Sequence, residues 1–278
     1  MVELDYLVIG HVTRDLRDET FTIGGTASYA ALTARALGCR VGIVTSASPD
    51  LNLSQILDDV WITCTPAVAT TTFENAYTSA GRRQTLHSLA KTLTPEMRPA
   101  DWKVKIIHLG PVARECDPAL IDVLGDAFVG LTPQGWMRRW DRIGQVRNCR
   151  WEKAERWLAR ADAVVLSEED VAGNESLIAQ YAAQTQILVV TQGAAGCTVH
   201  TASCSRRFPS PTAKEIDSTG AGDIFAAAFF VWLQHGGTPW EAARFANCIA
   251  SGSVARSGLT GVPTSDETAL CKQTLELF

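Results

Sequence analysis

The residues best suited to chemistry lie in one short segment, residues 217–223 (DSTGAGD), which leads directly into a strongly apolar run. Gly220 and Gly222 have no Cβ, so a ligand can approach their backbone closely. The first amides of a helix lack an acceptor within the helix and carry a partial positive charge, which makes them an anion site. Asp223 would lie in the first turn, beside that site. An anion hole next to a carboxylate suits phosphoryl transfer, because the amides hold charged oxygens while the carboxylate takes the proton of an attacking hydroxyl.

The same segment also has a purely structural explanation. Asp217 or Thr219 could cap the helix that follows, and Asp223 could do no more than complement the positive end of its dipole. Both explanations account for a string of small residues ahead of an apolar run. The rest of the chain has to decide between them.

Apolar runs with the length of strands alternate along the chain with segments of helical periodicity. The strand-like runs are residues 4–9, 41–45, 105–109, 128–131, 163–166 and 187–191. The helical segments between them include residues 27–37, 151–161 and 176–183. Such alternation predicts an α/β fold in which helices cover both faces of a mostly parallel sheet.

Two segments interrupt this alternation and are predicted to be hairpins, residues 70–89 and 197–208. The last third of the chain is predicted to be helical, over residues 221–235, over residues 238–254 and from about residue 264 onward. Thr238 and Glu241, with a proline at the first helical position, have the spacing of a capping box. Because we find no linker, repeat or low-complexity run, we interpret residues 1–278 as one domain.

The composition excludes several classes of protein. The chain has 278 residues, of which 46% are hydrophobic and 20% charged, and this excludes global disorder. The net charge of −5 gives no electrostatic reason to expect nucleic acid or an acidic membrane as a partner. The longest apolar run, residues 224–233, is shorter than the about 20 residues that a membrane span needs. No signal-peptide pattern begins the chain, so we expect a cytoplasmic protein.

The eight cysteines include no pair with CxxC spacing. Without an export signal, neither a disulfide framework nor a zinc site is expected. We expect reduced thiols that are mostly buried.

The DSTGAGD segment resembles the DTxGAGD signature of the ribokinase-like, or phosphofructokinase-B (PfkB), family of small-molecule kinases. It departs from that signature only by Ser218. Three other segments resemble that family at the expected places, namely residues 9–15 (IGHVTRD), 24–30 (GGTASYA) and 190–196 (VTQGAAG). The resemblance extends from residue 4 to about residue 263. It implies a three-layer α/β/α fold with a central, mostly parallel sheet, and transfer of the γ-phosphoryl group of ATP, with Mg²⁺, to a hydroxyl.

The resemblance also implies roles for individual residues. Asp223 would be the catalytic base, with an anion hole formed by Gly220, Ala221 and Gly222. The acceptor would be held by Asp15, Gly24 and Gly25. The nucleotide would be bound by Thr191, Gly193, Gly196, Thr219 and Asn247, with Asn247 near the adenine. A carboxylate after a strand, such as Asp15, lies where parallel sheets bind ligands, although a solvent-facing turn residue is the alternative.

Residues 167–170 (SEED) stand where the family often has Asn-x-x-Glu, which helps to organise magnesium through water. Glu168 and Asp170 would take that role here, since adjacent carboxylates favour a hard divalent cation. A helix start capped by Ser167 is the alternative, and the two are compatible. The resemblance further implies a potassium site at Asp217 and Thr219, close to residues 253–261.

The lid over the acceptor is expected to be reduced. Only eight residues separate Asp15 from Gly24, too few for the substantial β insertion that many relatives carry there. The candidate lid is the hairpin at residues 70–89, with the polar and aromatic residues Phe73, Glu74, Asn75, Tyr77, Arg82 and Arg83. A dimer formed through the lid is therefore less assured, and either a monomer or a homodimer is expected.

Residues 134–139 (QGWMRR), together with the short lid, resemble a compact branch of the family that includes proposed myo-inositol kinases. Gln134 and Arg138 would then contact the hydroxyls of the acceptor. A sugar or cyclitol is expected as acceptor first and a nucleoside second. A non-catalytic sugar sensor of the same fold is a further alternative, which the presence of Asp223 disfavours.

Residues 138–160 hold eight basic side chains against three acidic ones, interleaved with tryptophans. Basic and aromatic residues together can bind single-stranded nucleic acid. However, Trp151, Ala154, Leu158 and Ala161 fall on one stripe of a helix, which is typical of an amphipathic surface element. We therefore expect no nucleic-acid partner.

Overall fold

The computed structural model describes residues 1–17, 20–78 and 81–276. Its strands are β1 (Val2–Ile9), β2 (Thr13–Arg17), β3 (Thr20–Gly24), β4 (Val41–Ala47), β5 (Val60–Pro66), β6 (Thr72–Thr78), β7 (Gly81–Ser88), β8 (Trp102–Leu109), β9 (Phe128–Leu131), β10 (Arg138–Trp140), β11 (Val146–Asn148), β12 (Ala163–Ser167), β13 (Ile187–Thr191), β14 (Cys197–Thr201) and β15 (Ser205–Phe208). Its α-helices are α1 (Thr26–Ala36), α2 (Leu53–Ile56), α3 (Ala154–Arg160), α4 (Glu175–Ala182), α5 (Ala221–Gln234), α6 (Pro239–Ser253) and α7 (Ser265–Glu276).

Within the described residues, nine strands form the central sheet in the order β15-β14-β13-β12-β9-β8-β1-β4-β5. The strands from β13 to β5 are parallel, whereas β14 pairs antiparallel with both of its neighbours. From β1 the chain first adds β4 and β5 on one side, then returns to add β8 and the later strands on the other. Such a change of direction opens a crevice outside the carboxyl ends of the strands, where open α/β sheets bind ligands.

The core lies on both faces of this sheet. Alternate side chains of β1 point to opposite faces, so Tyr6 and Val8 belong to one buried cluster and Leu7 and Ile9 to the other. The first cluster includes residues of α1, α5 and α6, and the second includes residues of α3 and α4. The prediction of a mostly parallel sheet covered on both faces is confirmed.

Helix α5 packs centrally, and its residues 224–231 are all buried. Gly130 of β9 admits this helix, because a Cβ at that position would lie 2.5 Å from the ring of Phe230. The following helix begins at the predicted capping box, in which Thr238 and Glu241 bond reciprocally to each other's backbone amides.

A second sheet has the strand order β3-β2-β6-β7 and contains Asp15 in β2. We call it the lid sheet. The predicted hairpin at residues 70–89 corresponds to β6 and β7. The structure adds two short strands to this candidate lid, because β2 and β3 form an antiparallel pair and β2 pairs with β6. Each of the two strands has only five residues, so they fit in a segment that is too short for a substantial insertion. The side chains of Tyr77 and Arg82 lie outside the described part.

The expectation that all cysteines are reduced thiols is wrong for one pair. Cys248 of α6 and Cys271 of α7 are joined by a disulfide. They are 23 residues apart, and only the packing of the two helices brings them together. Cys204 is exposed, and the remaining free cysteines are buried or partly buried. No helix of the described residues is long and apolar enough to cross a membrane.

The tryptophans between residues 136 and 157 are mostly buried. The ring of Trp136 stacks against Trp151 at 5.4 Å and Trp157 at 4.6 Å. Side chains in this position cannot stack on the bases of a nucleic acid, which agrees with the prediction of an amphipathic surface element. The short hairpin of β10 and β11, which the sequence did not predict, presents Arg138.

Candidate active site

A cavity of about 550 Å³ lies outside the carboxyl ends of the parallel strands. Most of the predicted site residues line it together, namely Asp15, Gly25, Gln134, Arg138, Asp170, Thr191, Gly193, Gly196, Thr219, Gly220, Ala221, Gly222, Asp223 and Asn247. Three predicted residues, Gly24, Glu168 and Asp217, are not part of its lining. The four segments singled out in the sequence thus meet at one place.

Asp223 lies in the first turn of α5, partly buried at the cavity wall. Its Oδ1 accepts a hydrogen bond of 2.7 Å from the hydroxyl of Thr26. Burial raises the pKa of Asp223 to about 6, and the charges of Asp170 and Asp15 add to this, while the Thr26 bond and the charge of Arg138 oppose it. A carboxylate with this pKa is ionised at neutral pH yet basic enough to take a proton.

The turn before α5 leaves several amides without a protein acceptor. Gly220 has a φ of +80°, and a Cβ there would lie 2.4 Å from the ring of Tyr29, so both conformation and space require glycine. The amide of Ala221 donates to the carbonyl of Ser218 at 3.2 Å. The amides of Gly220, Gly222 and Asp223 have no acceptor among the described residues. These three amides are therefore available to bind an anion, whereas the amide of Ala221 would first have to leave the carbonyl of Ser218.

Gly24, at the end of β3, and the adjacent Gly25 leave space for the side chain and the loop around Asp15. A Cβ on Gly24 would lie 2.2 Å from Oδ2 of Asp15, so the carboxylate packs directly on this residue's backbone. The hydroxyl of Thr13 donates to Oδ1 of Asp15 at 3.2 Å. Gly25 has a φ of +85° and a Cβ there would meet the carbonyl of His11 at 2.3 Å. Gly24 therefore acts through Asp15, whereas Gly25 lines the cavity itself.

Arg138, Gln134 and Asp170 form a second polar group in the cavity lining. The guanidinium of Arg138 donates to the carbonyl of Val112 at 3.3 Å and lies 5.9 Å from the centre of the Phe73 ring of the lid. Asp170 accepts hydrogen bonds from the backbone amide of Ser167 at 2.9 Å and from the side chain of Gln134. Burial raises the pKa of Asp170, while these hydrogen bonds and the charge of Arg138 oppose the shift.

Three carboxylates follow β12, and two of them line the cavity. Glu169 and Asp170 line the cavity. Glu168 is exposed, and its Oε1 accepts a hydrogen bond of 3.3 Å from Gln192. The described residues contain no group of three or more His, Cys, Asp or Glu side chains that could hold a metal. Mg²⁺ in phosphoryl-transfer sites needs only one or two carboxylates besides water and phosphate, so Glu169 and Asp170 fit it.

The lining also includes small and apolar residues, interspersed with the polar side chains of Ser210, Glu215 and Ser251. The small and apolar residues are Ala194, Pro211, Ala213, Ala250 and Val254. Asn247 is 5% exposed, and its Nδ2 donates to the carbonyl of Phe208 at 3.1 Å and to the sulfur of Cys197 at 3.6 Å. A flat base would fit against walls of this kind.

Asp217 connects two loops beneath the anion site. Its Oδ1 accepts from the amide of Thr219 at 3.0 Å. Its Oδ2 accepts from the hydroxyl of Ser257 at 2.9 Å and the amide of Gly258 at 3.2 Å. The structure thus brings together the two segments between which a potassium site was expected, and that site stays a prediction.

The site residues missed in the sequence include Glu169, Thr26 and Thr132, which line the cavity, and Glu115 was missed as a support of two loops at the site. Thr26 follows the two glycines directly, and this neighbourhood could have drawn attention to it. Glu115 is 2% exposed and accepts hydrogen bonds from the amides of His11, Val112 and Ala113. Nothing in the local sequence marks Thr132, because its partner His108 lies on another strand. Glu115 bonds to His11, which is 104 residues away, and its local bonds to Val112 and Ala113 depend on a loop conformation that the sequence does not indicate.

Comparison with known proteins agrees with this geometry. A model described as pfkB family carbohydrate kinase matches residues 138–266. A fructokinase of Klebsiella pneumoniae is 28% identical over 198 residues, which are 63% of this chain and 63% of the fructokinase. The ribokinase of Bacillus subtilis is 42% identical over 81 residues, 29% of this chain and 28% of the ribokinase. The chain therefore aligns with less than two thirds of the length of either relative.

Solved structures match over nearly the whole chain. A pyrophosphate-dependent kinase in the ribokinase family has a TM-score of 0.81 and 23% identity, and the match covers 96% of this chain and 99% of that one. The ribokinase of Thermotoga maritima has a TM-score of 0.75 and 19% identity, with 97% and 99% covered. At this identity the likeness establishes the fold. The chain thus has the ribokinase-like fold, and its residues 138–266 match the model of the pfkB family carbohydrate kinases.

Proposed function

We propose that the protein is a phosphotransferase that moves the γ-phosphoryl group of ATP, with Mg²⁺, to a hydroxyl of a sugar or cyclitol. The observation that supports this most directly is the position of Asp223. Its own amide and those of Gly220 and Gly222 have no acceptor in the part of the chain that the structure describes, and it lines the same cavity as Asp15. A base, an anion site and a second carboxylate for hydroxyls are the parts that this reaction needs.

Asp223 acts as the base. The proton of the acceptor hydroxyl passes to its carboxylate, the acceptor oxygen bonds to the terminal phosphorus, and the bond from that phosphorus to its bridging oxygen breaks. ADP leaves with the bridging oxygen. The amides of Gly220, Gly222 and Asp223 stabilise the charge on the phosphoryl oxygens. When bound, Mg²⁺ neutralises donor charge, and Glu169 and Asp170 would hold it through water.

The lining of the acceptor half favours a compact polyol. Asp15, Asn75, Gln84, Gln134 and Arg138 present carboxylate, amide and guanidinium groups there. A ring of hydroxyls can satisfy donors and acceptors of this kind, whereas the base of a nucleoside would need more apolar wall than Phe73 and Tyr29 supply. The names of the fructokinase and ribokinase relatives support a sugar. A neighbour complexed with myo-inositol supports a cyclitol.

Pyrophosphate is the second candidate donor, because that neighbour is pyrophosphate-dependent. In the part of the chain that the structure describes, Arg138 is the single cationic side chain that lines the cavity, and it lies on the acceptor side. A donor made only of phosphates would meet no second cationic side chain in the described lining, whereas an adenine can pack against the small and apolar residues there. We therefore favour ATP.

A screen of donors against acceptors tests the proposed function. ATP and pyrophosphate are each incubated with myo-inositol, fructose, ribose, ketodeoxy sugars and nucleosides, and the phosphorylated product is identified by mass. We expect ATP-dependent phosphorylation of a sugar or cyclitol that is lost in Asp223→Asn. If only pyrophosphate gives a product, pyrophosphate is the donor instead of ATP. If only nucleosides are phosphorylated, the acceptor is a nucleoside instead of a sugar or cyclitol. Binding of a polyol without any product would indicate a sensor.

A further inference from the structure

A buried chain of three hydrogen-bonding side chains runs from the interior of the sheet to the cavity. The hydroxyl of Tyr6 lies 2.7 Å from Nδ1 of His108, and Nε2 of His108 lies 2.8 Å from the hydroxyl oxygen of Thr132. Tyr6 and His108 are fully buried on the neighbouring strands β1 and β8. Thr132 follows β9, is 8% exposed and lines the cavity. None of these residues has a role in the mechanism given above.

The direction of the hydrogen bonds in this chain follows from the inventory of donors. Burial lowers the pKa of His108 to about 3, so the ring is neutral and has one N–H. If that proton were on Nδ1, it would donate to Tyr6, whose own hydroxyl proton would have no acceptor among the described residues. A buried unsatisfied donor is unfavourable. Tyr6 therefore donates to Nδ1, and Nε2–H donates to Thr132.

In this direction the Thr132 oxygen accepts from His108, and the hydroxyl proton of Thr132 has no acceptor among the described residues. Thr132 is linked to Asp223 through shared neighbours. A Cβ on Gly110 would be 3.1 Å from the hydroxyl oxygen of Thr132 and 2.2 Å from the methyl group of Thr26, so both threonines border this one glycine. Thr26 in turn bonds to Asp223. A hydroxyl donor thus lines the same cavity as the base and its partner Thr26.

We propose that Thr132 donates a hydrogen bond to an oxygen of the acceptor, and that Tyr6 and His108 are positioning residues that fix this direction. The inference rests on the proposed function. The carboxylates of Asp15 and Asp223 can only accept from substrate hydroxyls when they are ionised. A hydroxyl that donates to one of these carboxylates still has lone pairs, and Thr132 supplies a donor for them. The site would thereby recognise hydroxyl groups and reject analogues that lack one.

The hydrogen-bond direction is tested on the free protein, independently of any activity. Long-range ¹H–¹⁵N correlation spectra distinguish protonated from unprotonated ring nitrogens of the five histidines. The histidine whose signals shift in Thr132→Val is assigned as His108. We expect protonated Nε2 and unprotonated Nδ1 in the wild type at neutral pH. A protonated Nδ1 would overturn the proposal, because Thr132 would then donate to His108.

The contact itself is tested by kinetics with myo-inositol and fructose as acceptors. Thr132→Val keeps the shape of the side chain and removes its hydroxyl, and Thr132→Ser keeps the hydroxyl. We expect the valine variant to raise the acceptor KM about three- to tenfold, or to lower kcat/KM for the acceptor by that factor, with the KM for ATP unchanged. The serine variant should stay near the wild type. Thr132→Ala replaces the valine variant if that variant melts well below the wild type.

The outcomes separate this inference from the proposed function. An active wild type whose valine or alanine variant has unchanged acceptor kinetics, or equal changes for both substrates, would overturn the role of Thr132 alone. A wild type that phosphorylates no acceptor in the screen would overturn the proposed function and, with it, the contact to an acceptor. The histidine spectra would still decide the direction of the hydrogen-bond chain in that case.

Discussion

At the scale of single residues, Asp223 combines a raised pKa with a place at the anion site. We expect Asp223→Asn to fold and to bind ATP but to lose about 10²- to 10⁴-fold in turnover, because no base remains for the acceptor proton. In the wild type, turnover should fall as the pH drops through about 6, where Asp223 becomes protonated. Steady-state kinetics check both expectations. Glu168→Gln, which changes an exposed carboxylate outside the cavity, is the matched control. Near-normal turnover in a folded Asp223→Asn would show that Asp223 is not the catalytic base.

The same carboxyl group links activity to stability. Its pKa rises from 3.8 to about 6 on folding, so its contribution to stability is present at low pH and is lost as the pH rises through about 6. Asparagine does not titrate. The wild type should therefore lose stability relative to Asp223→Asn as the pH rises from about 4 to 7, so that the melting temperature of the variant minus that of the wild type increases over this range. Thermal unfolding of both proteins across this range measures the difference, and a difference that is independent of pH would contradict the burial of the charge.

Asp15 is the acceptor-side counterpart of Asp223. If it accepts hydrogen bonds from two hydroxyls, its removal leaves those groups unpaired in a partly buried site, at about 1–3 kcal/mol or more. We expect Asp15→Ala to lower kcat/KM for the acceptor by at least about tenfold and to leave the KM for ATP little changed. Initial rates with each substrate varied in turn provide the test. Unaltered acceptor kinetics would mean that Asp15 is a lid residue that does not touch the substrate.

At the scale of elements, the loops after β1 and β8 are tied together by Glu115. Its buried carboxylate accepts hydrogen bonds from the amides of His11, Val112 and Ala113 at 2.7–3.0 Å. The carbonyl of Val112 in turn accepts a hydrogen bond from the guanidinium of Arg138. Removing the carboxylate leaves three backbone donors without an acceptor. We expect Glu115→Ala to lower the free energy of unfolding by about 3 kcal/mol. Denaturant unfolding measures it, and a loss below about 1 kcal/mol would show that water or a shifted loop replaces the carboxylate.

The elements also show what the sequence could and could not predict. Buried parallel strands are short apolar runs, so β1, β9 and β13 were predicted closely, and the capping box marked the start of α6. Strands β2 and β3 were missed, because a tight polar hairpin carries no apolar run and exists through its pairing with β6. The disulfide and the Tyr6–His108–Thr132 chain were missed for the same reason. Each depends on contacts between residues that are distant in sequence.

At the scale of the whole molecule, the sheet topology brings the site together. The change of chain direction beside β1 opens a crevice, into which the loops after β1, β8, β9, β12 and β13 all lead. The lid sheet supplies Asp15 and Phe73 from one side, and α5 supplies Asp223 and the anion site from the other. In the proposed function, the acceptor would contact the lid side of this cavity and the donor the α5 side, so binding of the two ligands can be tested separately.

This separation predicts that a divalent ion matters for binding of the donor alone. In the inactive Asp223→Asn variant, ATP at about 100 times its Kd should stabilise the fold by about 2.7 kcal/mol, which raises the melting temperature by several degrees. We expect a chelator to abolish this shift and to leave the shift caused by the acceptor intact, because the phosphates of ATP meet the cavity carboxylates only through the ion.

The adjacent residues Glu168 and Glu169 provide the matched pair for this experiment, since Glu169 lines the cavity and Glu168 bonds to Gln192 outside it. In the Asp223→Asn background, Glu169→Gln should weaken the magnesium-dependent shift by ATP and Glu168→Gln should not. Differential scanning fluorimetry with and without chelator measures both. The reverse order would restore the assignment made from the sequence, and a shift by ATP that survives the chelator in every variant would remove the ion from donor binding.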